Sequence, residues 1–282
     1  MNTANPTSTA LPADTVLPAT LGTAELEAFR RNGYLLLEGY FDAVRDRIVE
    51  WLVDMQTWPE TPGRWMMYYE TPTEGAAAGQ RMLCRLENFL DDHAGLESLL
   101  RHPALMGILS QLMGEPAVLF KEKINFKLPG GQGFAPHQDA PAFVAFNQRY
   151  HITAMIGIDH ATPENGCLEV VSDLGLSTLL PQEADGTIEA SAAGRLTWAP
   201  LPTRPGDLLL FDSYLPHRSG PNRANTPRRA LYVTYNRLSE GARRTDYFRD
   251  KREKFPPECE RVASHDYSAG AAIYNLANPI HR

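Results

Sequence analysis

The chain has 282 residues, of which 43% are hydrophobic and 22% charged, a composition typical of globular proteins and unlike disordered, collagen-like or coiled-coil chains. Its net charge of −7 lacks the basic excess typical of nucleic-acid-binding proteins, so we expect no nucleic-acid partner. No run of the sequence approaches the about 18 consecutive apolar residues of a transmembrane helix, so we expect no membrane partner either.

The N-terminal region begins with a polar segment and continues with a helix. Residues 1–20 are rich in Pro, Ala and Thr and lack the apolar surface that offsets the entropy of ordering, which predicts a flexible tail. A helix is predicted from Thr23, with Thr23 as its N-cap and Asn32-Gly33 as its stop signal. The apolar run from Tyr34 to Leu37 then predicts a short buried strand.

Two more helices are predicted before residue 114. Between Asp42 and Met55, apolar residues recur at three- and four-residue spacing and so share one helix face; they are Val44, Ile48, Trp51, Leu52 and Met55. A third helix is predicted from Gly95 to Met113. We therefore expect a helical N-terminal part over residues 21–114.

The pattern changes after Gly114. Five short runs rich in β-branched and aromatic residues follow, separated by Pro, Gly, Asn and Asp; they are LFKEKINFKL, ITAMIGID, GCLEVV, DLLLFD and ALYVTYNRL. Strands without intervening helices predict a mainly β fold with flanking helices, built on a double-stranded β-helix, the jelly roll of cupin-like proteins. We expect a single domain over 21–282, with this core at about 115–240 and a C-terminal extension over 241–282.

Three side chains in the β region have the chemistry of a metal site. His137 and Asp139 are two residues apart, so in an extended segment they point to the same face. His217 follows the run DLLLFDSY. Two imidazoles and one carboxylate that bind one face of an octahedral ion leave positions open, as in non-haem Fe(II) oxygenases. Packing or surface roles remain open for each histidine taken alone, and we assign such roles to the others, namely His93, His102, His151, His160, His265 and His281.

These residues carry a resemblance to a known family. The order His137-Gln138-Asp139, then His217, then Arg228 eleven residues later resembles the phytanoyl-CoA dioxygenase family of Fe(II)/2-oxoglutarate oxygenases over roughly residues 26–236. The resemblance implies Fe(II), 2-oxoglutarate and O2, with Arg228 binding the distal carboxylate of 2-oxoglutarate. A guanidinium suits that task because it stays charged and can bind a carboxylate bidentately. The adjacent Arg229 is the competing candidate.

Comparison with the ectoine hydroxylases of this family extends the implied site. It implies that Asn125, Phe134 and Ser219 contact the co-substrate, and that Lys121, Phe143 and Tyr232 contact the substrate. Further similarity, in FKEKINFKLPGGQGFAPHQDAPAF, FDSYLPH and RRALYVTYNRLSEG, points to the branch that contains the aminoethylphosphonate dioxygenases. We treat that similarity as a lead to the substrate only.

Strand periodicity gives a separate argument about charge. Lys121, Lys123, Asn125 and Lys127 are spaced by two and so share one strand face. Two interpretations stay open, a solvated lysine face or lysines that point into the cavity. A buried ammonium needs an anionic partner, so the second interpretation predicts a small anionic substrate such as a carboxylate or phosphonate.

Several other motifs have weaker functional claims. Pro129-Gly130-Gly131-Gln132-Gly133 lacks the ending of a phosphate-binding loop and predicts a turn before His137. The segment 163–167, PENGC, also predicts a structural turn. The aromatic and sulfur-rich run 65–69 is expected to pack in the core rather than line the pocket mouth. Arg81, Arg85 and Glu87 are candidates for the pocket wall, without further support.

We therefore predict a hydroxylase that oxidises an aliphatic C–H of a small anionic or polar molecule and releases succinate and CO2. In related halogenases a small residue replaces the carboxylate ligand, so Asp139 favours hydroxylation. Three alternatives remain: a cupin-like metal-dependent isomerase or hydrolase, a family oxygenase that desaturates, cyclises or epoxidises a larger natural product, and a non-catalytic binding protein.

The cysteines bear on the cellular compartment. Cys84, Cys167 and Cys259 are widely spaced and odd in number, which fits neither a disulfide framework nor a paired-cysteine zinc site. The N-terminus also lacks a basic start followed by an apolar signal core. We expect a cytoplasmic protein with reduced thiols.

Overall fold

A computed structural model describes residues 11–12, 15–72, 77–172, 178–275, 277 and 280. The first ten residues of the predicted tail and His281 lie outside these residues. The described helices are α1 Thr23–Asn32, α2 Arg45–Met55, α3 Ala94–Leu100, α4 Pro103–Met113, α5 Ala190–Ala193, α6 Arg244–Lys254 and α7 Ser268–Tyr274. Short 3-10 turns cover Leu90–Asp92, Ala140–Phe146, Leu238–Glu240 and Glu258–Glu260.

The described strands form two antiparallel sheets. They are β1 Tyr34–Leu37, β2 Met66–Glu70, β3 Met82–Glu87, β4 Ala117–Lys127, β5 Phe134–His137, β6 His151–Gly157, β7 Leu168–Val170, β8 Ala199–Leu201, β9 Leu208–Asp212, β10 His217–Ser219 and β11 Arg228–Arg237. The larger sheet has the order β1-β9-β6-β11-β4-β3-β2 and the smaller one the order β5-β10-β7-β8. The predicted fold class, a double-sheet jelly roll with flanking helices, is confirmed.

The helix signals in the sequence are mostly correct, with local differences. Helix α1 ends at Gly33, whose φ of 78° suits glycine, but its N-cap is Gly22 rather than Thr23. Helix α2 begins at Arg45 rather than Asp42, and the predicted apolar stripe is buried. The single helix predicted from Gly95 to Met113 is two helices, because Pro103 cannot continue α3 and instead occupies the first turn of α4.

The expectation of a helical part over residues 21–114 missed two strands. Besides the predicted strand β1, strands β2 and β3 lie there and extend the larger sheet. Strand β3 pairs with β4 in the register Arg85↔Asn125 and Glu87↔Lys123. This pairing brings Arg85 and Glu87 to the lysine-bearing strand, although 40 positions separate Arg85 from Asn125 along the chain.

The main core lies between the helices and one face of the larger sheet, while a smaller core fills the space between the sheets. Leu17, within the predicted tail, is 6% exposed and belongs to the main core. The Tyr40 hydroxyl also donates a hydrogen bond to the Pro18 carbonyl at 2.7 Å. Residues 15–20 therefore have no regular secondary structure, as expected, but pack against the domain because Leu17 supplies apolar area to bury.

The C-terminal extension packs over the larger sheet through helix α6. Lys251, 1% exposed, donates to Glu87 Oε2 at 2.6 Å, and Arg244 donates to Glu122 at 2.6 Å. Both ion pairs join α6 to the strands that carry the candidate site. None of the helices in the described residues combines the length and apolar character required to cross a bilayer.

Candidate metal centre and active-site cavity

The structure brings His137, Asp139 and His217 together. Their nearest ligand atoms all lie within 4.8 Å of one another. His137 ends β5, and His217 begins β10 directly opposite it in the antiparallel register. Asp139 follows β5 at the start of the 3-10 turn. Strand pairing thus brings together two histidines that are 80 positions apart in the chain.

The imidazoles are oriented by backbone carbonyls. His137 Nδ1 lies 2.8 Å from the Ala135 carbonyl, and His217 Nδ1 lies 2.9 Å from the Leu215 carbonyl. A carbonyl only accepts, so each Nδ1 carries the proton and each Nε2 keeps its lone pair. Such outer hydrogen bonds are typical of metal-binding histidines.

The protonation states also fit a divalent cation. Burial, followed by the neighbouring His217, lowers the pKa of His137 to about 3, and burial lowers the pKa of His217. Burial alone would raise the pKa of Asp139, but the adjacent His217, Lys121 and Lys123 hold it below its ordinary value. The cluster is therefore two neutral imidazoles and one carboxylate, which are the forms that bind metals.

Two cavities meet at this cluster, and both are lined by Lys123, Phe134, His137 and Asp139. The inner cavity lies between the sheets and is also lined by Asn125, His217, Ser219 and Tyr232, among others. The outer cavity is also lined by Arg85, Glu87, Lys121, Tyr247, Lys251 and Tyr274. The three candidate ligands thus lie where a co-substrate in one cavity could meet a substrate in the other.

The two adjacent arginines of β11 point in different directions. Arg229 donates to both carboxylate oxygens of Asp159 at 2.8 Å. Arg228 is 2% exposed and shares a strand face with Tyr232, which lines the inner cavity. Its Nη1 donates weakly to the Tyr232 hydroxyl at 3.4 Å, and its Nε has no partner in the described part of the chain. Arg228 is thus the arginine with unused donor capacity beside the cavity.

The other implied co-substrate residues also border the inner cavity. Ser219, Asn125 and Phe134 all line it. Asn125 Oδ1 accepts a hydrogen bond from Arg85 Nε at 3.1 Å, and Ser219 Oγ accepts one from Lys127 Nζ at 2.7 Å.

The structure decides the direction of the lysine face. Lys121 and Lys123 line the outer cavity, with Lys121 Nζ 4.7 Å from the Phe143 ring centre and Lys123 Nζ 5.4 Å from that of Tyr232. Neither ammonium group has an ion-pair or hydrogen-bond partner among the described residues. Burial lowers the pKa of both lysines, that of Lys123 strongly. An anion in this cavity would supply a direct ion-pair partner for them.

Two residues implied as substrate contacts have different surroundings from those expected. Phe143 is 1% exposed and packs on the His151 ring with centroids 4.0 Å apart. It supports Lys121 but is not among the residues that line either cavity. Tyr232 lines the inner cavity beside Arg228 rather than the outer one. Of the three implied contacts, Lys121 alone borders the outer cavity.

The C-terminal extension contributes residues to the outer cavity that the sequence did not indicate. Tyr247, Lys251 and Tyr274 close one side of the outer cavity, and Lys251 pairs with Glu87. Arg85 and Glu87, named as candidates, do line this cavity, whereas Arg81 pairs with Glu60 and Glu258 at the surface. The run 65–69 packs in the cores, as expected, and residues 66–69 of it lie in β2. No local pattern marked Lys251, because α6 is rich in charged residues on all sides.

The chain matches known proteins along most of its length. The family model described as phytanoyl-CoA dioxygenase (PhyH) matches residues 29–230. The chain is 51% identical, over 89% of its length and 95% of the relative, to a 2-aminoethylphosphonate dioxygenase from uncultured bacterium HF130_AEPn_1. It is 42% identical, over 84% of its length and 88% of the relative, to a methylphosphonate hydroxylase from Gimesia maris.

Solved structures support the same fold. EctD from S. alaskensis, solved with 2-oxoglutarate and 5-hydroxyectoine, has a TM-score of 0.63 at 19% identity, with 84% of this chain and 82% of EctD covered. AviO1 from Streptomyces viridochromogenes Tue57 has a TM-score of 0.60 at 25% identity, with 79% and 96% covered. The expected relationship is confirmed: the chain belongs to the phytanoyl-CoA dioxygenase family of Fe(II)- and 2-oxoglutarate-dependent oxygenases.

Proposed function

We propose that this dioxygenase hydroxylates a C–H bond of a small phosphonate. The observation that carries the proposal is the pair of half-buried lysines, Lys121 and Lys123, that line the outer cavity beside the candidate metal ligands. Neither ammonium group forms an ion pair or a hydrogen bond with another described residue. Two relatives, named for oxidising 2-aminoethylphosphonate and methylphosphonate, give the proposal its substrate class.

His137, Asp139 and His217 would hold Fe(II) through two Nε2 atoms and a carboxylate oxygen. The donor set fits this ion, because two imidazoles and one carboxylate leave positions free for a chelating co-substrate and O2. Bound Fe(II), with 2-oxoglutarate and O2, supplies an oxidant able to break an aliphatic C–H bond while 2-oxoglutarate becomes succinate and CO2.

The inner cavity would receive 2-oxoglutarate. Arg228 and Ser219 would bind its distal carboxylate, and Asn125 and Phe134 would contact the rest of the molecule. The buried Arg228 Nε without a partner among the described residues fits an anionic occupant, since a buried charged donor is costly when left unpaired. Asn125 is oriented by Arg85, which fixes its carbonyl oxygen and turns its NH2 group away from the guanidinium.

The outer cavity would receive the substrate. Its wall carries four cations and two carboxylates, one of which is the metal ligand Asp139; the cations are Arg85, Lys121, Lys123 and Lys251. Lys251 and Arg85 hold the pKa of Glu87 below its ordinary value despite burial, so this carboxylate is ionised and already paired. Lys121 and Lys123 are left to bind a phosphonate, with the phosphonate's carbon side toward the metal ligands. Tyr247 and Tyr274 would help to exclude water.

Coupled turnover of a small panel tests this proposal. The Fe(II)-loaded enzyme is given 2-oxoglutarate, O2 and either methylphosphonate, 2-aminoethylphosphonate or the carboxylates acetate and β-alanine. We expect phosphonate-stimulated succinate release, with one hydroxylated phosphonate per succinate by 31P NMR. Equal stimulation by the carboxylates would contradict phosphonate selectivity. Substrate turnover without 2-oxoglutarate would instead support a metal-dependent isomerase or hydrolase.

Replacement of Arg228 with alanine is expected to raise the KM for 2-oxoglutarate by about 10²–10³-fold, the usual effect of truncating one side of a buried charge pair. The value of kcat at saturating 2-oxoglutarate should change much less. Steady-state succinate release at increasing 2-oxoglutarate measures both.

The neighbouring Arg229 provides the matched control. Arg229→Ala removes the ion pair with Asp159 and should lower the free energy of unfolding by about 1–3 kcal/mol while leaving the KM for 2-oxoglutarate unchanged. If Arg229→Ala raised this KM and Arg228→Ala did not, the assignment of the two arginines would be reversed.

We also propose that the enzyme works in the cytoplasm on a free small molecule. All three cysteines are unpaired thiols, which fits a reducing compartment, and the acidic net charge gives no support to a nucleic-acid partner.

A further inference from the structure

Lys127 is a buried lysine outside the substrate cavity and beside the proposed co-substrate residues. It ends β4 and is 2% exposed. Its Nζ donates to Ser219 Oγ at 2.7 Å, to the Gly166 carbonyl at 3.2 Å and to the Gly220 carbonyl at short distance. No step proposed above uses this side chain.

Two of the turns predicted from the sequence lie close to this lysine. Gly166, in the segment PENGC, has a φ of 76°, and a Cβ there would lie 2.2 Å from the Gly220 carbonyl oxygen and 2.9 Å from Lys127 Nζ. A Cβ on Gly133, in the segment PGGQG, would lie 2.5 Å from the Ser219 carbonyl oxygen. Both glycines therefore allow the backbone after β10 to approach Lys127 and its neighbours closely.

The three contacts of Lys127 determine whether the Ser219 hydroxyl can donate a hydrogen bond to a ligand. Two of the acceptors are carbonyls, so two Lys127 protons are committed to them. When Lys127 is protonated, its third proton is donated to Ser219 Oγ, and the Ser219 proton is free to be donated elsewhere. When Lys127 is neutral, its remaining lone pair accepts the Ser219 proton instead. A carboxylate only accepts, so it can bind Ser219 only in the first state.

We propose that Lys127 is a positioning residue for the co-substrate, which orients Ser219 as a donor to the distal carboxylate of 2-oxoglutarate, so that binding takes up one proton at Lys127. The inference rests on the proposed function, because it assumes that Ser219 and Arg228 bind this carboxylate. It makes the affinity for 2-oxoglutarate depend on pH through a residue that does not touch the metal.

The electrostatic surroundings favour a neutral lysine when no anion is bound. Lys127 lies directly opposite Arg228 in the β4–β11 register, and like charges in such pairs repel each other. Burial, then Arg228, lowers the pKa of Lys127 to about 6, against a partial opposing effect of Glu70. The charged and titratable groups that act on it are Arg228 on β11, Glu70 on β2, Cys84 on β3 and Cys167 before β7.

The affinity for 2-oxoglutarate is expected to fall as pH rises. In the free enzyme Lys127 is mostly neutral above about pH 6, and an anion beside Arg228 raises its pKa in the complex. Binding therefore takes up a proton between the two pKa values, and affinity falls as pH rises through that window, by at most about tenfold per pH unit for one proton.

The test is anaerobic titration of the Fe(II)-loaded enzyme with 2-oxoglutarate, followed by the visible charge-transfer band of the complex. The titrations cover about pH 6.5 to 9, a range that lies above the pKa of Lys127 in the enzyme without 2-oxoglutarate. We expect the wild-type Kd to rise with pH with a slope approaching tenfold per unit, and calorimetry in buffers of different ionisation enthalpy to report uptake of close to one proton. Lys127→Arg, charged throughout this range, should bind with little pH dependence. Lys127→Gln should bind weakly and also without the slope.

A control variant separates this lysine from the others. Lys254→Arg, at the surface of α6 where Lys254 pairs with Asp250, should keep the wild-type slope. A flat wild-type Kd would overturn the inference, as would the wild-type slope in either Lys127→Arg or Lys127→Gln. Failure of the Fe(II) and 2-oxoglutarate binding on which the proposed function depends looks different, because the charge-transfer band would then be absent at every pH.

Discussion

Replacing His137 with alanine is expected to abolish iron binding and turnover. The variant leaves one imidazole and one carboxylate, and the loss should exceed the about 10–100-fold drop in metal affinity that follows removal of an outer hydrogen-bond partner of a ligand. Iron content after equilibration with Fe(II) and removal of free metal measures binding, and succinate release measures turnover. Asp139→Ala is expected to have the same effect on turnover, because it removes the charged ligand and leaves only neutral donors for a dication.

An exposed histidine gives the control for this experiment. His160 is exposed, and among the described residues only its backbone carbonyl is engaged, as an acceptor from Asn165. His160→Ala should therefore bind iron and turn over as the wild type does. Wild-type succinate production by His137→Ala would contradict the assignment of the ligands. Circular dichroism and thermal unfolding of each apo variant exclude global unfolding as the cause of lost binding.

The candidate metal ligands could be named from the sequence because their pattern is local or shared with a family. His137 and Asp139 are two residues apart, and the prediction that they share a face assumed an extended segment. In the structure β5 ends at His137 and Asp139 begins a 3-10 turn, yet both residues line the same two cavities. His217 and Arg228 could not be joined to them by any local rule. Their selection came from family spacing, and the antiparallel pairing of β5 with β10 supplies the physical reason that this spacing works.

The direction of the lysine face could not be predicted from periodicity alone. The opposite face of β4 carries Phe120, Ile124 and Phe126, so an apolar face toward the core and lysines toward solvent was the simpler expectation. In the structure both faces are covered, one by the helical core and one by the cavity walls. The second face is covered because α6 packs on it, and Lys251 of α6 contacts Glu87 of β3. These two residues are 164 positions apart in the chain, so no local sequence pattern could predict the contact.

The short strands β2 and β3 show the same limit at the level of secondary structure. Their residues, MMYYE and MLCRLE, do not alternate between apolar and polar types, so neither has the signature of a strand with one exposed face. Both strands are almost wholly buried and owe their conformation to sheet pairing, β3 with β4 and β2 with β3. Tertiary contacts therefore determine that these segments are strands, and they also determine the positions of Arg85 and Glu87.

The largest effect on substrate use is expected from Lys121→Met. Methionine keeps the length and most of the apolar stem of lysine but removes the ammonium group beside Phe143. A charge-assisted contact with the phosphonate is lost in a water-poor cavity, so we expect kcat/KM for a phosphonate to fall by about 10²–10³-fold. The Kd for 2-oxoglutarate should change little, because Lys121 does not line the inner cavity. Succinate release with and without phosphonate measures how strongly 2-oxoglutarate turnover depends on the substrate. Anaerobic titration measures the Kd for 2-oxoglutarate.

Lys254 is the matched control, since its side chain is 47% exposed and pairs with Asp250 at the surface. Lys254→Met should leave kcat/KM unchanged for every substrate. A structural role for Lys121 would predict equal losses for phosphonates and for any neutral substrate, together with a lower unfolding temperature. An anion-binding role predicts selective loss with phosphonates, and a methionine variant that is at least as stable as the wild type, because it no longer desolvates an ammonium group.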